Sequence, residues 1–342
     1  MPGPTIADIA RAAEVSTATV SHALNGTGRL GGSTRARVRE VAAALGYAAP
    51  RAPRTRTLGL AVTTYAGHAW DFLAVAYYAR WITAATSAAH ARGYALTTLP
   101  AVRGAELLWH TLAVDGMLLL DSPEGDRVLR ALRARGMPVV FDGRPTEPRP
   151  GDVWVDNDHP ATVHEVLDHL EAAGARRTAL HAGYGREYYT AAVTAAYERW
   201  CAEHGQEPLV VTFDPIDSVG HAFDTVFATG AADAVYAVYD PGGRQVLAAA
   251  RRHGLRVPED LMLVCASEDP AYGAGDPAVS TVTFQPEVIA ETAVAALVDL
   301  VETDPAGCAA ADPAAVLPAA ADPAPRTVPA LLRPRASSRP RR

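Results

Sequence analysis

Lysine is missing from this chain; all 31 of its basic side chains are arginine. That bias, in an alanine-rich text, reflects composition more than mechanism. Cysteine is nearly as scarce. Cys201, Cys265 and Cys308 stand far apart with no CxxC pair. This excludes a disulfide scaffold or cysteine-rich metal site and fits reduced thiols of the cytoplasm. No apolar run is long enough to span a bilayer. The opening MPGPTIADIARAA lacks a basic region followed by an apolar core, so no secretory signal is expected. Catalytic groupings are missing too. His164 and His169 are five residues apart, off the i, i+4 face that metal pairs use, and are read as solvated surface. Ser267-Glu268-Asp269 has no nucleophile-elbow glycines. Neither an enzymatic centre nor a cofactor or metal is expected.

What is present begins with length and charge. The 342 residues suffice for two or three domains with buried cores. Residues 1–57 carry eight arginines against Asp8, Glu14 and Glu40, a net of +5; the whole chain is −7, so the remainder carries −12. A small basic head on an acidic body points to a polyanion partner for the head.

The stretch NGTGRLGG, 25–32, contains G-x-G-x-x-G at Gly26, Gly28 and Gly31, the spacing of a dinucleotide-binding loop. That loop needs a strand before it and a helix opening from it. Here helices flank it on both sides, which rejects the dinucleotide reading. Thr5 caps a first helix, with Asp8 completing a capping box and Ile6, Ile9, Ala10 and Ala13 at helical spacing. Glu14-Val15-Ser16 makes a tight turn. Ser16 caps a second helix, Thr17 to Leu24, whose Val20, Ala23 and Leu24 face inward. A third helix runs from about Ser33 to Leu45 with Val38, Val41, Ala42 and Leu45 buried. Two short helices, a tight turn and a third helix beneath form a helix-turn-helix unit, whose second helix can lie in the DNA major groove.

TIADIARAAEVSTATVSHALNG followed by TRARVREVAAALGY resembles the lactose-repressor-like (LacI/GalR) family of bacterial transcription regulators. The resemblance is specific over about 45 residues. It implies that Thr17, Ala18 and His22 read bases, and that Ser16, Thr19, Ser21, Asn25 and Arg29 meet phosphates or sugar; Thr5, at the first cap, joins the DNA-facing set. The chemistry agrees: His22 offers a ring nitrogen to a base edge, Thr17 a hydroxyl or methyl, and Ala18 contact with a thymine methyl. Three features depart from the family pattern, one of them Gly31, which replaces a frequent polar residue before the third helix. Glu14 stands where a turn glycine is usual, so the turn takes another conformation or tolerates strain. The family's leucine-bearing hinge helix is replaced by AAPRAPRTRT, where Pro50 and Pro53 oppose a helix. Arg51, Arg54 and Arg56 are expected to track the minor groove or its phosphates instead, with weak bending.

From Thr57 strands and helices alternate through two similar sets, giving an α/β body of two doubly wound parallel sheets around a cleft. The resemblance extends here, to a periplasmic-binding-protein-like body with landmarks VDGMLLL, MPVVFDGRP, VWVDN, GLRVPEDLMLV and VSTVTFQP. The expected organisation is a head at 1–48, a linker at 49–57, an N-lobe at 58–158 plus 285–302, and a C-lobe at 159–284 plus 326–338. An Ala/Pro-rich insertion at 303–325 and a disordered tail at 339–342 complete it.

In sugar- and purine-responsive members an arginine and an aspartate anchor hydroxyl-rich ligands; Val193 and Ser267 occupy those positions here. Aromatics at strand ends and following loops, Tyr65, Trp70, Tyr184, Tyr188 and Tyr239, suit a flatter or more apolar effector, or serve as core and lobe contacts. Asp121, Asp142, Asp156, Asn157 and Asp240 also end strands and serve the ligand or cap helices. The reading is a homodimeric transcription regulator, a repressor, which binds palindromic operator DNA and answers to a small-molecule effector. The competing readings are a small-molecule binding protein without operator recognition and an α/β enzyme.

Overall fold

The computed structural model describes residues 5–24, 30–45, 54–63, 71–99, 106–183, 187–303 and 326–340. The head contains α1 (Ile6–Ala12), α2 (Thr17–Leu24) and α3 (Gly32–Ala44). The Thr5 hydroxyl accepts the Asp8 amide at 3.3 Å, and the Asp8 carboxylate accepts the Thr5 amide at 2.8 Å. This reciprocal box satisfies two amides that the first turn leaves without intrahelical partners. Ile9, Val20, Ala23 and Val38 are fully buried where the three helices meet.

The body's first lobe holds β1 (Thr57–Val62), α4 (Ala76–Ala91), β2 (Ala95–Leu99), α5 (Glu106–Thr111), β3 (Gly116–Leu120), α6 (Arg127–Ala134), β4 (Val139–Asp142) and β5 (Val153–Asn157). The second holds α7 (His159–Ala172), β6 (Thr178–Ala182), α8 (Tyr188–Glu203), β7 (Val210–Thr212), α9 (Asp224–Ala228), β8 (Ala234–Ala237), α10 (Asp240–Arg252), β9 (Met262–Ala266), α11 (Ala271–Ala274) and β10 (Ser280–Thr283). The chain returns with α12 (Pro286–Thr303), β11 (Arg326–Val328) and β12 (Leu331–Arg333).

Two six-stranded sheets result, ordered β11-β5-β4-β3-β1-β2 and β12-β10-β9-β8-β6-β7; β12 alone runs antiparallel. β3, β6 and β9 are buried along their whole length, as parallel strands covered on both faces must be. In the first lobe α4 and α12 cover one face, and α5 and α6 the other. In the second, α7 and α8 lie opposite α9 and α10.

The final segment departs from the sequence expectation. The sequence places residues 326–338 wholly in the C-lobe, but β11 pairs with β5 in the N-lobe sheet, and only β12 joins the C-lobe through β10. A short apolar segment carries no mark of which sheet it will edge. The chain thus crosses between lobes three times: after Asn157, after Thr283 and after Val328. The Asn157 amide donates to Val328 O at 2.7 Å and to Phe284 O at 3.3 Å, tying the three crossings together. His169 is a second correction. It is half-buried, not solvated, and its Nε2 lies 2.7 Å from the Ser338 hydroxyl. Among the described residues no helix is long and apolar enough to cross a membrane, and no His/Cys/Asp/Glu group is arranged to hold a metal.

Candidate DNA-reading face and effector cavity

Val20 and Ala23 face into the head, so the α2 periodicity turns Thr17, Ala18 and His22 outward; all three are exposed. Ser16 caps the helix: its hydroxyl accepts the Thr19 amide at 3.0 Å and lies 2.8 Å from the Thr19 hydroxyl. Both hydroxyls sit at the positive end of α2, where a phosphate gains from the helix dipole and open amides. Ser21 is half-buried. Asn25, Arg29 and Arg51 lie outside the described residues, as do Pro50 and Pro53.

The turn before α2 resolves the Glu14 question. Glu14 has φ 52°, in the left-handed region. The Val15 amide reaches Ala10 O at 3.0 Å and the Glu14 amide reaches Arg11 O at 3.4 Å. This is the pair of bonds of a Schellman C-cap, which normally places glycine at the left-handed position. The turn keeps its geometry and Glu14 bears the strain.

Arg54 and Arg56 are engaged with the body, Arg56 while still exposed. Arg54 Nη2 donates to Val301 O at 2.7 Å and to Glu302 O at 3.3 Å, answering carbonyls that the end of α12 leaves open. The Arg56 guanidinium lies over the Tyr94 ring, 5.1 Å from its centroid, and meets Glu302 at 3.5 Å. Asp115 accepts the amides of Thr55 and Arg56, each at 2.8 Å. The end of the linker is therefore clamped to the N-lobe.

Between the lobes, beyond the carboxyl ends of their strands, lies a cavity of about 280 Å³. Asp121, Asp142, Tyr239, Asp240 and Ser267, expected from sequence, line it, together with Asp156 and Asn157. Val193 does not: it is 1% exposed in the core between α7, α8 and the sheet. Its position on α8 faces the sheet, so the family's arginine site has become packing. Tyr188 also lies off the cavity wall, with the Arg144 guanidinium 4.9 Å from its ring centroid; the wall residue is its neighbour Tyr189. Tyr65, Trp70 and Tyr184 fall outside the described residues.

Sequence reasoning missed much of the aromatic wall. Tyr77, Tyr78, Tyr189, Phe213 and Phe284 contribute to it, with His159, Glu187 and Glu268 adding polar groups. Phe284 packs edge-on against Tyr77 at 6.4 Å and Tyr189 at 5.7 Å between centroids. Tyr77 and Tyr78 are neighbours in the first turn of α4, which by itself marks no site; only the neighbouring strand ends show that they border a cavity.

The polar groups are strained electrostatically. The Tyr77 phenol lies 3.0 and 2.9 Å from the two oxygens of Asp142, and the Tyr78 phenol donates to Asp121. Burial pushes the Asp121 carboxyl up to about 7, with the charges of Glu187 and Asp156 adding to the rise. Burial and the neighbouring Asp121 push Asp142 well above the ordinary carboxylate range. Burial also raises Asp240, which accepts the Ser267 hydroxyl, and Glu268. Glu268 comes from the second lobe and receives Arg80 of α4 at 2.7 Å, while Arg80 Nε meets Glu287 at 2.6 Å. Arg80 therefore spans the cleft as a latch. The Ser267 hydroxyl is committed to Asp240 and the Asp269 amide.

Comparison with known proteins agrees with this architecture. Residues 5–49 match the model for bacterial regulatory proteins of the lacI family, and residues 167–337 match a periplasmic binding protein-like domain. The chain is 28% identical over 316 residues to the HTH-type transcriptional regulator CelR of Thermobifida fusca, covering 86% of this chain and 91% of that protein. It is 25% identical over 324 residues to the HTH-type transcriptional repressor PurR of Aliivibrio fischeri, covering 87% and 92%. In fold it resembles a CelR–cellobiose complex (TM-score 0.70, 24% identity, 98% and 99% covered). It likewise resembles the lac repressor dimer bound to operator and an anti-inducer (TM-score 0.67, 18% identity, 99% and 100% covered). With a lacI-type head, a periplasmic-binding-protein-like body and relatives that are regulators over nearly its whole length, this chain belongs to the LacI family of bacterial transcription regulators.

Proposed function

We propose that the chain is a homodimeric repressor that reads a palindromic operator with the outer face of α2 and is controlled by an effector in the inter-lobe cavity. The observation that carries the reading is the division of α2. Val20 and Ala23 are 0% exposed, whereas Thr17, Ala18 and His22 lie on the open face. A side chain buried in the head cannot read a base, and these three are exposed. Two copies are required because one head covers one half-site, and half-sites one helical turn apart call for two-fold symmetry.

Control follows from the cavity's place between lobes that share three crossings and the Arg80 latch. A ligand touching both lobes favours one lobe arrangement over another, and only that difference in affinity can shift operator binding. The similar CelR structure is a complex with cellobiose, and the inter-lobe cavity is assigned here to a small-molecule effector. The cavity is read as a binding site rather than a catalytic one, since its one serine hydroxyl is already held by Asp240. The test is a mobility shift on the promoter of the chain's own gene or its neighbours. A palindrome-specific, salt-sensitive complex is expected, and a His22→Ala, Thr17→Ala double variant should lose it while keeping its fold. A complex that survives that variant unchanged would transfer DNA recognition to another surface. A chain that ignores every palindrome would instead be a small-molecule binding protein.

A further inference from the structure

The cavity's polar lining is rich in carboxyls: Asp121, Asp142, Asp156, Glu187, Asp240 and Glu268 all contribute to it. Asp121, Asp142 and Asp156 stand at the ends of three neighbouring strands, β3, β4 and β5, and all line the cavity. None caps a helix; Asp126 and Asp158 do that work for α6 and α7. The side chains of Asp121 and Asp142 bond the phenols of Tyr78 and Tyr77. Burying carboxyls side by side is costly; Asp156 accepts the backbone amides of Arg144 and Asn157, whereas a cation would offset the charge of the other two. Among the described residues no arginine lines the cavity.

His159 supplies a second, independent sign. It is 6% exposed, lines the cavity, and its Nε2 lies 2.8 Å from Asp156 Oδ1. A carboxylate only accepts, so Nε2 carries a proton. The other ring nitrogen, Nδ1, is buried with no hydrogen-bond partner. A buried ring nitrogen that no described residue satisfies is a place for a ligand atom. Around it Tyr189 and Phe284 pack edge-on against the imidazole, at 4.8 and 6.1 Å, and with Tyr77, Phe213 and Tyr239 present ring surface to the interior. Ring faces attract cations.

We infer that the effector is an organic cation: a protonated amine on an apolar or ring-shaped body, its N–H groups held by Asp121 and Asp142, its body by the aromatic wall and His159. This rests on the cavity being the effector site and goes further by naming the effector's charge. An ammonium draws toward the ionised form carboxyls that burial otherwise keeps protonated, and a neutral sugar offers no such counter-charge.

The test is calorimetric titration of the full-length chain with matched pairs: 2-phenylethylamine against 2-phenylethanol, glucosamine against glucose, and putrescine against butane-1,4-diol, with cellobiose as a further neutral probe. Losing one charge-assisted contact corresponds to about 10- to 100-fold in affinity, so at least one amine should exceed its neutral partner by that factor. Asp142→Asn, which keeps the shape of the carboxyl but cannot ionise beside an ammonium, should narrow the gap to within about threefold. Wild-type titrations alone decide the matter should that variant misfold. Neutral partners binding as well as amines, or no amine binding at about 10 mM, overturn the inference. Operator mobility shifts run alongside separate the two readings. Cellobiose binding and altering operator affinity while amines fail removes the cation and keeps the regulator. Amines binding with no change in operator affinity keeps the cation and removes the control.

Discussion

Replacing Glu14 by glycine should stabilise the head, and the structure says by how much. Glu14 sits at the left-handed position of the α1 C-cap with φ 52°, and its side chain is exposed. A Cβ in that conformation costs roughly 1–2 kcal/mol. Glycine removes the cost but loses about 0.4–1 kcal/mol through its freer unfolded chain. The backbone gain is therefore about 0.5–1 kcal/mol. Charge adds to it, since a carboxylate just beyond a helix C-terminus opposes the dipole by about 0.3–1 kcal/mol. Alanine removes the charge and keeps the Cβ, so comparing the two variants isolates the backbone. Native-state hydrogen exchange of the α1 and α2 amides in the full-length chain reads head stability directly. Glu14→Gly should raise it by about 0.5–1 kcal/mol more than Glu14→Ala. Equal effects would mean that the turn is unstrained at this residue and that only the charge matters.

Other consequences follow from the same geometry. His22→Ala should lower operator affinity by about 1–3 kcal/mol, roughly 10- to 100-fold, with an unchanged melting temperature because His22 is exposed; a binding isotherm and a melt on one preparation check both. Arg54→Ala removes the bonds to Val301 O and Glu302 O and should cost the body about 1 kcal/mol, read as a lower urea midpoint. Stability should also depend on pH through the cavity. Asp121 and Asp142, with Asp240 and Glu268 in the same sense, have carboxyls raised by burial. They hold protons when folded at pH values where the unfolded chain has released them. Stability therefore falls as pH rises from the ordinary 3.8 toward about 7. The groups facing this pair are Tyr77 and Tyr78 from α4, Asp156, His159 and Glu187. Urea unfolding across that range should show the fall, reduced in Asp121→Asn; an identical slope in the variant would place the proton uptake elsewhere.

The head was the most legible part of the chain because its signals are local. Thr5 and Asp8 lie three residues apart, α2 runs over the residues read for it, and Val20 and Ala23 pack where their spacing put them. Strands and helices of the body were legible for the same reason, since buried parallel strands are short apolar runs with punctuation. What failed depends on distant partners. The side of α8 that meets the sheet decides that Val193 is core and that Tyr189, rather than Tyr188, faces the cavity. Arg54 and Arg56 read as a basic stripe for DNA, but open carbonyls and a carboxylate at the end of α12, almost 250 residues away, hold them. His169 finds Ser338 across 169 residues. The acidic character of the cavity was half visible, since aspartates ending successive strands are plain in the sequence. That three would share one space with an unpartnered histidine nitrogen needs the fold.

The central claim is that the outer face of α2 reads operator DNA. Footprinting of the full-length chain on its own promoter, at several salt concentrations, tests it most directly. The account predicts protection of two half-sites about one helical turn apart, with affinity falling steeply as salt rises and lost when Thr17 and His22 are replaced. Protection without two-fold symmetry, or protection that persists in that variant, would contradict it.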